Sequence, residues 1–338
     1  MKDNYNGILQ QPLGSGYGTG TTAAEILRNT NLTGKNIVVT GGYAGIGLET
    51  VRTFVSAGAK VTVPARDVRK ATANLKGLIN VTVEPMDLMD QQSIHDFAVR
   101  FLAGHNHLDI LVNNAGIMWV PLHRDAAGNE SQLSTNHLGH FLLTARLWPA
   151  LINAGNARVV TVSSFGHQIA PFNFDDPNFI TREYETLQGY GQSKTANNLF
   201  TVELDHRGKT AGVRAFSVHP GSVNGTDLGR VAPVELFRQM GTHDNDGNLK
   251  PEVAASLKTI EQGAATSVWC ATSPLLEKIG GVYCENCDVA QLDNGNINHD
   301  FSNPATLRGV KPYSLDAGNA QRLWALSENL TGVSFPAK

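Results

Sequence analysis

Short apolar runs rich in β-branched residues alternate with amphipathic segments along most of this chain. The apolar runs predict strands at Asn36–Thr40, Lys60–Pro64, Asn80–Pro85, Leu108–Asn113, Ala157–Ser163, Val213–His219 and near Gly281–Tyr283. The amphipathic segments predict helices around Ile46–Ala57, Val68–Lys76, Gln91–Leu102, Glu130–Leu151, Tyr190–Arg207 and Ile260–Thr272. This alternation is typical of βαβ units, whose crossovers are almost always right-handed. We therefore expect an α/β domain with a doubly wound, mostly parallel sheet of seven strands.

Both ends of the chain lie outside this alternation. A glycine-rich run at Pro12–Gly20 follows no apolar strand and lacks the spacing of a phosphate loop, so we expect a flexible connector there. Thr22 and Glu25 match a capping box and should start a short helix. Another helix is expected near Asp316–Asn329. The predicted units are an N-terminal extension at 1–33, the α/β domain at 34–290 and a C-terminal extension at 291–338.

Two stretches follow the carboxyl ends of predicted strands, where open α/β sheets bind ligands. Phe165–Gly189 carries Phe172, Phe174 and Phe179, and we expect these side chains to anchor it as a wall of a ligand pocket. Ser222–Leu257 contains a polar, glycine-containing turn with few apolar side chains to hold it. We therefore expect this second stretch to form a mobile lid at about 222–257.

Composition narrows the classes of protein that fit this pattern. The 338 residues carry 27 Lys and Arg against 30 Asp and Glu, a net charge of −3 without a basic cluster, so nucleic acid and anionic membranes are not expected partners. Three cysteines are too few for a disulfide scaffold and favour a reducing compartment. The polar N-terminus does not resemble a signal peptide, and Phe141–Ile152 is too short to span a membrane. We expect a cytoplasmic protein.

Several short patterns could suggest a metal site, but each is incomplete. Thr242–Gly247 is similar to a calcium loop, yet Thr242 and Val253 occupy the positions where that loop needs an acid. The remaining pairs lack further ligands: Cys284 with Cys287, His105 with His107, and His137 with His140. We expect no metal.

The first predicted strand runs directly into Thr40–Gly47 and then into a helix. Glycines let the backbone approach a pyrophosphate, and a helix N-terminus attracts its negative charge. Glycine-rich turns also occur for packing alone, but this position favours a dinucleotide site in a Rossmann-type sheet. The candidate contacts in the loop are Gly41, Tyr43, Gly45, Ile46 and Gly47.

Tyr190 and Lys194 lie four residues apart on a predicted helix and therefore share a face. Lowering a tyrosine pKa from about 10 towards neutrality needs about 4 kcal/mol at ~1.4 kcal/mol per unit. One ammonium at ~4 Å in an effective dielectric of ~20 supplies about that much. Tyr190 is thus a candidate general acid/base that protonates a carbonyl oxygen as hydride arrives. A surface Tyr/Lys pair is the alternative.

Further motifs follow the order found in the short-chain dehydrogenase/reductase family, which this chain resembles from about Leu32 to Asn286. After the T-G-x-x-x-G-x-G loop come Asn113–Gly116, Ser163-Ser164, the Y-x-x-x-K segment Tyr190–Lys194, and His219–Gly221. Asn136–Phe141 and Glu261–Ala265 look most like the branch of retinol dehydrogenases and WW-domain oxidoreductases. We expect neither a WW domain nor a membrane anchor here.

The resemblance implies roles for individual residues. Lys194 would also hold the nicotinamide ribose, Ser164 would bind the substrate oxygen, and Asn136 would position a water in a proton relay. The implied catalytic set is Asn136, Ser164, Tyr190 and Lys194. Further implied cofactor contacts, with the adenine ones first, are Asp87, Leu88, Asn114, Ala115, Gly116, Tyr190, Lys194, Pro220, Gly221, Val223 and Thr226. Thr226 lies one residue later than the family's threonine after Pro-Gly.

The residues at the end of the second strand indicate whether the protein binds NAD(H) or NADP(H). Members specific for NAD place an acid there, whereas this chain has Ala65 followed by Arg66, whose guanidinium can bind a 2′-phosphate. Asp67 is explained as a helix N-cap. NADP(H) is therefore favoured, and NAD(H) stays open.

The sequence thus predicts an NADP(H)-dependent oxidoreductase that interconverts an alcohol with an aldehyde or ketone. Trp119, with Val234, Leu236, Phe237 and Met240 in the lid, suggests a bulky apolar substrate. A cofactor-binding sensor without turnover is the alternative from another class. A homo-oligomer stays open, but the family's tetramer is not assumed because Phe165–Gly189 lies beside the helix that many members use for it.

Overall fold

A mostly parallel sheet of eight strands runs through residues 2–335, the part of the chain that this computed structural model describes. The outer ends of both predicted extensions, Met1 and 336–338, lie outside that part. The strands are β1 (Asn36–Val39), β2 (Lys60–Ala65), β3 (Val81–Pro85), β4 (Ile110–Asn113), β5 (Ala157–Val162), β6 (Val213–His219), β7 (Val282–Glu285) and β8 (Asp288–Val289). Their order is β3-β2-β1-β4-β5-β6-β7-β8, and only β8 is antiparallel to its neighbour. The predicted doubly wound, mostly parallel sheet is confirmed.

The eighth strand corrects the predicted number of seven. It pairs with β7 through a two-residue turn at Asn286 and Cys287, whose φ angles are 51° and 60°. Such a turn usually carries glycine at its second position, and cysteine there hides the hairpin from a reading of the sequence. The spacing of Cys284 and Cys287 belongs to this hairpin.

Helices cover both faces of the sheet. They are α1 (Ala23–Ile26), α2 (Gly45–Ser56), α3 (Val68–Asn74), α4 (Gln91–Gly104), α5 (Ser131–Leu133), α6 (Gly139–Asn153), α7 (Thr186–Gly208), α8 (Val234–Gln239), α9 (Pro251–Ser256), α10 (Ile260–Thr272) and α11 (Ala317–Thr331). Ile37 and Val39 of β1 pack towards α2 and α10, whereas Val38 between them packs towards α4, α6 and α7. Because both faces are buried, the strands are almost continuously apolar.

Short helical turns complete the elements. One turn at Ser134–Leu138 is π-helical, and it divides the single helix predicted at Glu130–Leu151 into α5 and α6. Turns of 3₁₀ type lie at Tyr5–Gly7, Phe165–Gln168, Lys209–Ala211, Pro274–Leu276, Pro304–Thr306 and Pro312–Ser314. The helix that carries Tyr190 begins at Thr186, four residues earlier than predicted.

The terminal segments pack onto the β7–β8 edge and the α7 side of the domain. Gln10 is buried and donates to the carbonyls of Tyr283 and Ala290 at 2.6 and 2.8 Å. The Asp288 carboxylate accepts backbone N–H groups at the beginning of the glycine-rich run, which is therefore anchored at that end. The predicted capping box at α1 is confirmed. Trp324 of α11 packs against aromatic rings of α6 and α7, so the C-terminal helix closes the second core.

Candidate active site

A cleft of about 930 Å³ opens at the carboxyl ends of the strands. It lies where β1 and β4 are neighbours and the strand order reverses, the usual ligand site of such sheets. Three of the four predicted catalytic residues line it, namely Ser164, Tyr190 and Lys194. The predicted cofactor contacts all line it as well: Gly41, Tyr43, Gly45, Ile46, Gly47, Arg66, Asp87, Leu88, Asn114, Ala115, Gly116, Pro220, Gly221, Val223 and Thr226.

Gly41 and Gly47, on the two sides of the turn from β1 into α2, have little or no room for a side chain. A Cβ at Gly41, where φ is 63°, would lie 3.1 Å from Ala115, and a Cβ at Gly47 would lie 2.5 Å from the Asn114 Nδ2. Ala44 precedes α2 and supplies no side-chain cap, so the first N–H groups of this helix are left for another acceptor. A close-approaching backbone and an uncapped helix start fit the phosphates of a dinucleotide.

Thr40 connects this loop to the segment after β4. Its Oγ1 accepts the backbone N–H groups of Asn114 and Ala115 at 2.9 Å each. His140 lies behind it, with Nδ1 3.0 Å from the Asn136 carbonyl and Nε2 2.9 Å from the Thr40 Oγ1. Burial lowers the pKa of His140 to about 4, so the ring is neutral; Nδ1 carries the proton and Nε2 accepts the threonine hydroxyl. In the sequence His140 belongs to a histidine pair and to the segment Asn136–Phe141, and neither pattern indicates this contact.

Ser164 and Tyr190 form the polar centre of the cleft. Both side chains approach Gly166, whose N–H donates to the Ser164 Oγ at 2.9 Å. A Cβ at Gly166 would lie 2.5 Å from the Tyr190 Cε1. Gly166 was not among the predicted site residues, although only glycine fits beside this ring.

The ionisation of the pair Tyr190 and Lys194 corrects the sequence reading. Lys194 donates from Nζ to the Val162 carbonyl at 3.0 Å, and its Nζ is 5.6 Å from the centre of the Tyr190 ring. Burial raises the pKa of Tyr190 to about 12, opposed by the Ser164 hydrogen bond, and lowers the pKa of Lys194 to about 7. The expected lowering of the tyrosine pKa by a lysine charge is therefore wrong for this arrangement, because burial dominates and Lys194 is not among the groups that shift it.

Asn136 lies behind the cleft and does not line it. It sits in the π-helical turn, where its Oδ1 accepts the Ile117 N–H at 2.9 Å and its Nδ2 donates to the Ile117 carbonyl and the Ser193 Oγ. A Cβ at Gly116 would lie 3.1 Å from the Asn136 Oδ1 and 3.6 Å from the Lys194 Nζ. Asn136 and Lys194 thus approach the same glycine, although the asparagine is wholly occupied by protein groups.

The wide end of the cleft is apolar, and its walls differ from the predicted ones. Only the beginning of Phe165–Gly189 lines the cleft. Phe172 and Phe174 pack against each other and join the core near α11. Phe179 packs on Tyr184. The expected anchored wall at Phe165–Gly189 is therefore wrong for most of its length. The lining residues here are Trp119, Phe165, Ile169, Phe237, Met240, Leu249, Val253 and Leu257, with Phe301, Pro304 and Leu307 from the C-terminal segment. Val234 and Leu236 were expected but are not among them.

The other end of the cleft lies beside the end of β2. Arg66, Asp67 and Lys70 line it, and Ala65 is buried in the strand. Asp67 accepts the Lys70 N–H at 2.9 Å, which confirms its prediction as the N-cap of α3. Arg66 and Lys70 therefore offer two positive charges at the end of the cleft where a 2′-phosphate would bind.

The part of the chain that the structure describes, residues 2–335, contains no group of three or more His, Cys, Asp or Glu side chains that could hold a metal ion. None of its helices is both long and apolar enough to cross a membrane. All three cysteines are buried free thiols.

Comparison with known proteins agrees with this geometry. The model of the short chain dehydrogenase family matches residues 35–233. A Streptomyces lividans protein described as a probable oxidoreductase is 42% identical over 301 residues, covering 87% of this chain and 96% of its own. Human retinol dehydrogenase 12 is 36% identical over 313 residues, covering 91% and 89%. A crystal structure of an uncharacterized protein from Mycobacterium paratuberculosis superposes with a TM-score of 0.70 at 34% identity, covering 94% and 99%.

The family model spans the loop, the strand ends and the tyrosine helix that form the cleft, and the two curated relatives cover 87% and 91% of the chain. The chain therefore belongs to the short-chain dehydrogenase/reductase family, in its retinol-dehydrogenase-like branch, and is an oxidoreductase that acts on alcohol or carbonyl groups with a nicotinamide cofactor.

Proposed function

We propose that this protein uses NADP(H) to interconvert a bulky apolar alcohol with its aldehyde or ketone. The observation that carries the proposal is that Ser164 and Tyr190 line the cleft side by side at Gly166, between a dinucleotide cradle and an apolar pocket. When bound, the cofactor supplies or accepts the hydride. In the non-catalytic alternative, this polar pair would have no reason to face an otherwise apolar space.

The protein's own residues account for the proton. Because burial keeps the pKa of Tyr190 near 12, its hydroxyl carries a proton at neutral pH and can donate it to a carbonyl oxygen. Ser164, whose Oγ is held by the Gly166 N–H, orients the same oxygen by a second hydrogen bond. Lys194 would bind the nicotinamide ribose from the same helix face. Asn136 acts one layer behind, by holding Ile117 and the wall next to Gly116.

The preference for NADP(H) rests on charge. Arg66 and Lys70 offer two cations to a 2′-phosphate, and no acid occupies position 65. Asp67 also lies at this end of β2, but its carboxylate already accepts the Lys70 N–H as the N-cap of α3. NAD(H) is the second candidate, since Asp67 also lines the cleft.

An apolar substrate is favoured by the aromatic and aliphatic lining of the pocket. Relatives named retinol dehydrogenase point the same way, towards a large apolar alcohol. Three buried free thiols support a reducing compartment such as the cytoplasm.

A test measures NADPH consumption with a panel of aldehydes and ketones. Tyr190→Phe should bind NADPH as the wild type does but lose at least ~10²-fold in kcat, the scale of general acid catalysis. Tyr17→Phe, at an exposed tyrosine, is the matched control and should retain activity. Near-normal turnover by Tyr190→Phe would contradict the assigned proton donor. Tight NADPH binding without turnover across the panel would instead favour the sensor.

A further inference from the structure

Trp119 has a backbone conformation that is unusual for a bulky residue. Its φ is 56°, in the left-handed region that such side chains rarely adopt. A conformation of this kind persists only where the surroundings impose it, and it is often found at ligand sites. The side chain is buried, and its indole N–H has no hydrogen-bond partner among residues 2–335. A polar contact of the indole therefore does not explain why the residue is held there.

Buried side chains hold the turn on both sides of Trp119. Before it, Asn136 binds both the N–H and the carbonyl of Ile117, at 2.9 and 3.0 Å. At Trp119 itself, the Gln132 Oε1 accepts the backbone N–H at 2.8 Å.

After Trp119, the Tyr184 hydroxyl and the Thr186 Oγ1 both donate to the Val120 carbonyl, at 3.0 and 2.9 Å. Gln132 itself donates to Tyr184 at 2.8 Å, so the supports on the two sides of the turn are connected. The turn is thus held from three elements of the fold.

The consequence of this support is the position of the indole ring. Its centre lies 6.4 Å from that of Tyr190, with the planes at 79°, and 5.2 Å from that of Phe237 in the lid. Phe237 in turn lies 4.9 Å from His243. All four rings line the cleft and form an aromatic wall from the proton donor to the lid: Tyr190, Trp119, Phe237 and His243.

We propose that Trp119, together with Phe237, makes the enzyme selective for substrates with a flat unsaturated group next to the reacting carbon. This inference rests on the proposed carbonyl chemistry at Tyr190. Aromatic rings gain energy from contact with another π-face beyond what apolar burial gives, whereas a puckered saturated ring cannot offer that face. An aliphatic side chain in a relaxed turn would serve a purely apolar substrate equally well. The strained and heavily supported turn is explained by the need for a π-surface beside Tyr190.

The test compares two aldehydes with the same carbon skeleton, the flat 2-naphthaldehyde and its saturated decahydro counterpart. The measured quantity is the ratio of their kcat/KM values, because differences in intrinsic reactivity then cancel between variants. We expect Trp119→Phe to keep most of the wild-type ratio and Trp119→Leu to lower it about five- to tenfold. Phe237→Leu should lower the ratio in the same direction. Because Phe237 lies in a short surface helix, this variant tests the inference even if the variants at position 119 misfold.

A binding measurement separates this inference from the proposed function. Dissociation constants of the two corresponding alcohols are measured by calorimetry with the oxidised cofactor present. If the wild type prefers the flat alcohol and both leucine variants lose that preference, the inference holds even if no aldehyde is reduced. The absence of reduction would then overturn only the proposed function. If the wild type has no preference, or both leucine variants keep it, the inference is wrong whatever the activity.

Discussion

Burial, rather than nearby charge, controls the ionisation of the residues at the centre of this site. Tyr190 and Lys194 lie on one face of α7, yet the lysine bonds to the Val162 carbonyl and the phenol ring is buried against Gly166. Loss of water therefore moves the two pKa values apart, upwards for the phenol and downwards for the ammonium, and so favours the neutral form of each side chain. The buried lysine therefore affects the stability of the fold as well as the protonation of the site.

Lys194 should make the stability of the cofactor-free protein rise with pH. Burial lowers its pKa from 10.5 to about 7, so between these values the unfolded chain holds a proton that the folded protein has released. The free energy of unfolding therefore increases with pH in that window, by up to ~1.4 kcal/mol per unit. Below pH 7 the full penalty of burying the charge applies, and above 10.5 it vanishes.

Urea unfolding at pH 7, 8 and 9 checks this expectation. Lys194→Met removes the amine and should flatten the rise, whereas Lys278→Met, at an exposed lysine, should not. Equal slopes in the wild type and Lys194→Met would show that the amine is solvated in solution.

Arg66 should discriminate between the two nicotinamide cofactors. Arg66→Ala removes a charge-assisted hydrogen bond that only a 2′-phosphate can form, worth roughly 1.5–3 kcal/mol. KM for NADPH should therefore rise by roughly 10- to 150-fold, with little change for NADH. Arg69→Ala removes an equal charge from an exposed position that does not line the cleft, and it is the matched control. Equal effects on both cofactors, or a wild type that prefers NADH, would overturn the assignment of NADP(H).

At the scale of elements, two irregular turns position the reactive groups. The π-helical turn Ser134–Leu138 brings Asn136 against Ile117, and π-bulges often occur at functional sites. The 3₁₀ turn Phe165–Gln168 has Ser164 as its N-cap and brings Gly166 onto the Tyr190 ring. His219, at the end of β6, accepts the Phe165 N–H at 3.2 Å and so holds the start of that turn.

Gly166→Ala should impair catalysis without unfolding the protein. The added methyl would lie 2.5 Å from the Tyr190 Cε1, so either the ring or the turn must move. Because a displacement of about 1 Å can cost ~10²-fold, we expect kcat to fall by about that factor while NADPH still binds. Gly104→Ala, at the end of α4 with no atom within 4 Å of its added methyl, is the control for both activity and melting temperature. Unchanged kcat in Gly166→Ala would mean that the tyrosine tolerates the shift.

At the scale of the whole molecule, distant segments of the chain meet over the substrate end of the cleft. The lid approaches from β6, and the C-terminal segment approaches from β8 with Phe301, Pro304 and Leu307. This segment is tied to the site through His167, whose Nε2 accepts the Lys311 N–H at 3.2 Å and whose Nδ1 donates to the Ser164 carbonyl at 2.7 Å.

Limited proteolysis should distinguish the mobile lid from the segment Phe165–Gly189, which is held in the core. We expect a protease of broad specificity to cut the cofactor-free protein first within Gly241–Lys250, a polar turn held by the bridge of His243 with Leu249. Phe172 and Phe179 are buried, so the segment Phe165–Gly189 should resist cleavage. Cofactor together with substrate should slow the cut, because closure over the cleft shields the turn. Early cleavage between Phe172 and Phe179, with Gly241–Lys250 intact, would reverse this expectation.

The local sequence was sufficient for the order and type of the main strands and helices and for most residues around the cleft. Apolar periodicity, capping residues and glycine chemistry act over a few neighbouring positions, and in a parallel sheet the carboxyl ends of the strands meet at one edge. The residues that end β1, β4, β5 and β6 therefore came together as expected. Arg66 at the end of β2 was found for the same reason.

Only the tertiary structure decided the features that depend on distant parts of the chain. It placed Phe172 in the core beside α11 rather than over the cleft, and supplied Phe301 in its place. It formed β8 through a turn in which cysteine occupies the usual place of glycine. It also bonded Lys194 to the Val162 carbonyl and held Trp119 beside Tyr190. The periodicity of neighbouring residues does not predict these contacts. Each contact depends on which residues from distant parts of the chain are available to bond with the side chain or to pack against it.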